Sequence, residues 1–115
     1  MPGVETVLPL MLQLVRDRNI ALSDAVTRLC ERPGQIFGVP KGKIEPGYDA
    51  DLVVVDLMEG TDVKADRLHS KCGWTAYEGM PAVFPKAVFL RGEIVVENGS
   101  VVGDRRGRGV VAEPR

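Results

Sequence analysis

The sequence predicts an α+β chain with helices first and an antiparallel β meander after, the change falling near residue 40. Three observations carry this. Apolar residues crowd or share helical faces as far as Phe37, with helix-ending signals between them. A β-branched run bounded by acids, Asp51-Leu-Val-Val-Val-Asp56, then breaks the helical period. Finally, Arg91-Gly92 and Asn98-Gly99 separate three short apolar runs, and Asn-Gly between apolar runs is the strongest short hairpin signal.

The first helix is expected over residues 5–17. Val7, Leu8, Leu10, Met11, Leu12, Leu14 and Val15 cover nearly all its sides, which is normal only for a helix buried in a larger body. Pro9 is tolerable in a first turn, so the regular helix is expected to start near it, and Asn19 reads as its stop. Ser23 is the expected N-cap of a second helix, whose Leu22, Val26, Leu29 and Cys30 share one face. Pro33 suits the first turn of a third helix through Phe37, which Gly38 can end in the left-handed conformation. Gly42 and Pro46-Gly47 mark turns ahead of a buried strand at 51–56. Three more strands are expected at 87–90, 93–96 and 100–102. The tail from Asp104, with Arg105, Arg106, Gly107, Arg108 and Gly109, reads as mobile.

Composition excludes several classes. At 115 residues and 44% hydrophobic, the chain can bury a core. A net charge of −1 gives no reason to expect a nucleic-acid partner, and the basic tail reads as a solvated terminus. No apolar run approaches a membrane span. Two cysteines, Cys30 and Cys72, with no signal peptide, point to a reducing, cytoplasmic setting.

A search for chemistry finds little. His69 is the single histidine and cannot supply the ligands of a catalytic zinc. The His69-x-x-Cys72 spacing admits a base–nucleophile pair, but nothing in the sequence activates the thiol or orients the imidazole. Asp49, Asp51, Asp56, Glu59, Asp62 and Asp66 flank a strand rather than converge, and Asp49 and Asp51 read as turn formers. No phosphate loop is present, and Trp74 and Tyr77 are too few for base stacking. No catalytic or metal-ligating residue is therefore assigned.

Two features sit badly with an independent fold. The first helix is too apolar for a surface helix, and about four strands leave a sheet face and both edges uncovered. Aromatic residues, at 5%, are too few to compensate. These surfaces are expected to pack against further chain, or, as the alternative, against copies in a homo-oligomer.

Three segments, in order, resemble one family. Pro2-Gly-Val-Glu-Thr-Val-Leu-Pro-Leu10 is similar to the segment after the last catalytic strand of dihydroorotases. Lys43-Ile-Glu-Pro-Gly-Tyr-Asp-Ala-Asp-Leu-Val-Val-Val-Asp56 resembles the stretch by which amidohydrolases enter their β-sandwich. His69-Ser-Lys-Cys-Gly-Trp-Thr-Ala-Tyr-Glu-Gly79 closely resembles a dihydroorotase loop, departing at Ala76, where proline is common. Residues 86–103 are similar to the closing strands of the superfamily sandwich.

The resemblance implies the terminal helices of a (β/α)8 metallo-dependent hydrolase barrel (residues 1–40), then the C-terminal half of a composite antiparallel β-sandwich (residues 41–115). It implies a parent enzyme that reversibly cyclises N-carbamoyl-L-aspartate to dihydroorotate in pyrimidine biosynthesis, using zinc held elsewhere. None of the family's catalytic groups maps here; Pro2 and Gly3 match the end of the substrate loop at best. Lys71, Cys72 and Trp74 read as a structural loop over the barrel–sandwich junction. The implied partner is the missing N-terminal barrel of the same chain; this chain is expected to bind no cofactor and to be inactive alone, with a small-molecule substrate only in the parent. The rivals are an allantoinase- or hydantoinase-type fragment and a non-catalytic structural subunit.

Overall fold

The computed structural model describes residues 1–104 and 107–112. Its elements are α1 (Val4–Arg16), α2 (Leu22–Val26), a π-helical turn (Thr27–Glu31), α3 (Arg32–Phe37), β1 (Leu52–Val54), β2 (Thr61–Asp62), a 3-10 turn (Ala65–Arg67), β3 (Pro81–Ala82), β4 (Ala87–Leu90), β5 (Glu93–Glu97) and β6 (Ser100–Val101). Helices therefore precede strands, with the division near residue 40.

Helix α1 differs from expectation at both ends. Pro9 lies inside it rather than in its first turn. The residue is buried where α1 packs on the neighbouring strand segment, and its carbonyl accepts a hydrogen bond from Val83 N–H at 3.0 Å; tertiary packing thus overrides a local preference for the first turn. The stop is made by Arg18, at φ 62, not by Asn19. Asn19 N–H bonds Leu14 O at 2.9 Å and Arg18 N–H bonds Val15 O at 3.0 Å, the paired bonds of a Schellman end. Only Thr6, Pro9 and Leu12 of α1 are buried; Val4, Val7 and Leu14 face outward.

Ser23 is not a cap. Ala21, in extended conformation, precedes α2 and Ser23 lies inside it; the helical path then continues through the π-turn directly into α3. Gly38 does end α3, at φ 66 and ψ 39. The next loop returns so closely that an added Cβ on Gly34 would lie 2.2 Å from Lys41 O, and one on Gly42 the same distance from Cys30 O.

The strands form a four-stranded antiparallel sheet in the order β1-β4-β5-β6 and a separate pair, β2-β3. Registers run Leu52↔Phe89, Val88↔Val96 and Val96↔Val101, with an irregularity between Val88 and Phe89. Both hairpin turns have positive φ at two successive residues, Arg91-Gly92 and Asn98-Gly99, which matches the strand twist. Strand β1 corrects the expectation of a buried strand: Val53 and Val54 are 45% and 47% exposed.

The core is small. Helix α1 packs on β3 and α2, and the buried apolar side chains are Leu12, Ala25, Val63, Ala82 and Val83. The chain exposes 8138 Å², against about 6,200 Å² for a compact monomer of its 12.5 kDa mass. Apolar side chains supply part of that excess, among them Ile36, Phe37, Ile44, Met58 and Trp74. Of the basic tail, Arg105 and Arg106 lie outside the described residues; 107–112 carry no regular structure and are exposed.

Candidate functional site

One polar constellation lies where the loop between β2 and β3 meets the start of α1. The two short strands set the loop's base, with Thr61 opposite Ala82 and Asp62 opposite Pro81. Two further backbone bonds extend it, Val63 N–H to Met80 O and Gly79 N–H to Val63 O, both 2.8 Å. Glu78 closes the turn: its Oε1 accepts from Ala65 N–H at 2.8 Å and its Oε2 lies 3.8 Å from Lys64 Nζ. Strands this short carry no legible sequence pattern, which is why none is predicted there.

At the far end of the loop, one carboxylate of α1 holds His69 twice. Glu5 Oε1 accepts from His69 N–H at 2.7 Å, and Glu5 Oε2 lies 2.8 Å from His69 Nδ1. Glu5 is in the first helical turn, where the helix dipole favours a negative charge. The group that orients the imidazole is thus Glu5, 64 residues away in sequence, and no local signal could have named it. An open cavity of about 370 Å³ adjoins the pair, lined also by Arg67, Phe84 and Asn98.

His69 and Cys72 form no hydrogen-bonded pair. Ser70 Oγ donates to Cys72 Sγ at 3.1 Å, and that bond holds the exposed Cys72 thiol below its ordinary pKa. Burial instead pushes the Cys30 thiol up. Both cysteines are free. Lys71 and Trp74 are exposed, while Thr75 is buried and its Oγ1 accepts from Tyr77 N–H at 3.2 Å.

A second cluster joins the two parts of the chain. Lys41 Nζ contacts Asp49 at 2.9 Å and also bonds Asp51. Asp51 Oδ1 accepts from Arg91 N–H at 2.9 Å, anchoring the β4–β5 turn. This corrects the turn-former reading of the two aspartates: both hold Lys41. The Asp51 and Asp49 carboxylates raise the Lys41 pKa. For Asp51, burial pushes upward, but the bonds from Lys41 and Arg91 N–H outweigh it and leave the carboxyl below its ordinary value. Asp56 caps its own turn at Met58 N–H, and Glu59 pairs with Lys86 at 3.2 Å.

Pro2 is exposed, and Gly3 immediately precedes α1, its carbonyl accepting from Val7 N–H at 3.1 Å and from Thr6. Among the described residues, no three His, Cys, Asp or Glu side chains are grouped to hold a metal. The donor set here does not fit a zinc ion: the lone imidazole is bonded to Glu5, Asp49 and Asp51 hold Lys41, and no third donor is grouped with either among the described residues.

The profile of the Amidohydrolase family matches residues 4–95. The chain belongs to the amidohydrolase family. Among the amidohydrolases it resembles, a protein named dihydroorotase from Thermoplasma volcanium is 47% identical over 92% of this chain and 26% of its own length. Those from Methanosarcina acetivorans and Archaeoglobus fulgidus are 44% and 43% identical, over 97% and 90% of this chain and 24% and 26% of theirs. The chain thus spans about a quarter of the curated relatives it matches. Of solved structures, a D-hydantoinase superposes with TM-score 0.84 at 36% identity, over 90% of this chain and 23% of that one. The L-hydantoinase (dihydropyrimidinase) of Arthrobacter aurescens gives the same score and identity, over 89% and 24%. No helix among the described residues is long and apolar enough to cross a membrane.

Proposed function

We propose that these residues are the carboxyl-terminal quarter of a cytoplasmic dihydroorotase, the enzyme that reversibly cyclises N-carbamoyl-L-aspartate to dihydroorotate. Residues 1–40 supply the last barrel helices and residues 41–115 half of the composite β-sandwich. The observation that carries this is identity of 47% across almost the whole chain but only 26% of the dihydroorotase it aligns with. The uncovered apolar surface supports it: α1 and β1 leave Val4, Val7, Val53 and Val54 outward, where the rest of an enzyme would cover them.

In this reading the chain is scaffold. Zinc and the groups that act on substrate belong to the larger part of the enzyme, and the 115 residues alone are inactive. Pro2 and Gly3, at the head of α1, form the end of the substrate loop. A hydantoinase-type parent is the second reading, favoured by the two hydantoinase superpositions.

A chimera tests the dihydroorotase reading. The chain replaces the matched quarter of the Thermoplasma volcanium dihydroorotase, and ring opening is assayed with dihydroorotate and with hydantoin. Turnover of dihydroorotate is expected. A folded chimera that turns over neither, or hydantoin alone, contradicts the dihydroorotase reading.

A further inference from the structure

We infer that Glu5 and His69 are positioning residues that fix the Met1–Gly3 segment against the 69–76 loop, and so set substrate affinity in the parent enzyme. The inference rests on the functional reading above, which makes that segment the end of a substrate loop. It goes beyond that reading by assigning a task to two residues that the family comparison leaves unassigned.

The geometry is specific. The 63–80 loop is fastened at its base by β2-β3 and by the Val63, Met80 and Gly79 backbone bonds. None of these reaches residues 69–76. That stretch is instead tied to the head of α1 at two points. Glu5 takes both His69 donors, at 2.7 and 2.8 Å, and Ala76 N–H points at Met1 Sδ, 2.9 Å away. Residues 1–5 therefore lie along a cradle formed by 69–76. Thr75 is the buried residue of that stretch.

A carboxylate that accepts from a backbone N–H and a ring nitrogen of one residue fixes that residue's position and its ring orientation together. Gly3 is bonded into the head of α1 by Thr6 and Val7, so the Glu5–His69 bonds set where that head, Gly3 included, lies against the loop. A misplacement of about 1 Å at a positioned group can cost on the order of 10²-fold in function. The two bonds are also unequal under mutation. Any residue but proline at 69 keeps the backbone N–H, so His69→Ala breaks one bond, whereas truncation of Glu5 breaks both.

The test uses the active chimera carrying Glu5→Ala, Glu5→Gln, His69→Ala and the double alanine variant. Glu5→Ala should raise KM for dihydroorotate about tenfold while kcat changes less than about twofold, the signature of lost positioning in the ground-state complex. Glu5→Gln retains an acceptor for His69 N–H and should recover most of the loss. His69→Ala should cost less than Glu5→Ala, and the double variant no more than Glu5→Ala. Hydrogen exchange should speed up in residues 69–76 of Glu5→Ala and stay unchanged in the β4–β5 hairpin. An unmoved KM with faster exchange, or a His69→Ala effect larger than that of Glu5→Ala, overturns the inference alone. An unsubstituted chimera without dihydroorotate turnover overturns the functional reading and the affinity role with it. Unchanged exchange at 69–76 overturns the clamp whatever the activity.

Discussion

Replacing Gly42 by alanine isolates the contact that locks the helical part of the chain to the loop leading into the sheet. Gly42 has φ 95, and an added Cβ would lie 2.2 Å from Cys30 O and 2.7 Å from Cys30 C. Both atoms are backbone, so no side-chain rotation relieves the clash. The left-handed backbone costs a non-glycine residue roughly 1–2 kcal/mol, and overpacking against fixed atoms roughly 1–3 more. Gly92 is the internal control: it has φ 82, but a Cβ there meets nothing within 4 Å. Gly92→Ala should therefore cost only the backbone term, roughly 1–2 kcal/mol. With an m-value of about 1.5 kcal/mol/M, the urea midpoint should fall by about 1 M for Gly92→Ala and by roughly 1.5–3 M for Gly42→Ala. Far-UV circular dichroism of both variants through a urea titration supplies the comparison. Equal midpoints would show that the helix does not sit against Gly42 as described, and the reasoning would fail.

Three other outcomes are expected. The Asp51 carboxyl, depressed in the folded state, contributes stability above its unfolded value of about 3.9, lost as pH falls through the lower folded value; raised Lys41 contributes below about 10.4, lost as pH rises through the higher folded value. The contribution of this pair should therefore be flat between those limits and fall beyond each, and Lys41→Met should flatten the alkaline limb while lowering stability at neutral pH by about 1 kcal/mol; an alkaline limb unchanged in Lys41→Met contradicts this. Iodoacetamide should alkylate Cys72 before Cys30 at neutral pH, followed by peptide mass spectrometry, because Ser70 favours the Cys72 thiolate while burial disfavours that of Cys30. Ser70→Ala should slow Cys72 alkylation selectively; equal rates in the two proteins would remove Ser70 as the cause.

The sequence reveals the parts of this structure whose causes are local. Asn98-Gly99 and Arg91-Gly92 demand positive φ in succession, and both turns are where those residues stand. Gly38 likewise ends α3, because its left-handed conformation lets the N–H groups of Gly38 and Val39 donate to the last helical carbonyls, Gln35 O and Gly34 O. Features whose causes are distant were not legible. Pro9 sits mid-helix, buried, with Val83 bonding its carbonyl, Asp49 and Asp51 hold Lys41 rather than their own turns, and Glu5 finds His69 across 64 residues. The apolar run at 52–55 reads as a buried strand, yet Val53 and Val54 are half exposed within this chain; the run's pattern fits cover that the other three-quarters of an amidohydrolase would provide.

The scaffold reading is tested most directly by the isolated 115-residue chain, assayed for zinc by elemental analysis and for dihydroorotate ring opening in the same preparation. The expected result is substoichiometric zinc and no turnover above the uncatalysed rate, with both appearing in the chimera. One zinc per chain, or turnover by the isolated chain, would contradict the account.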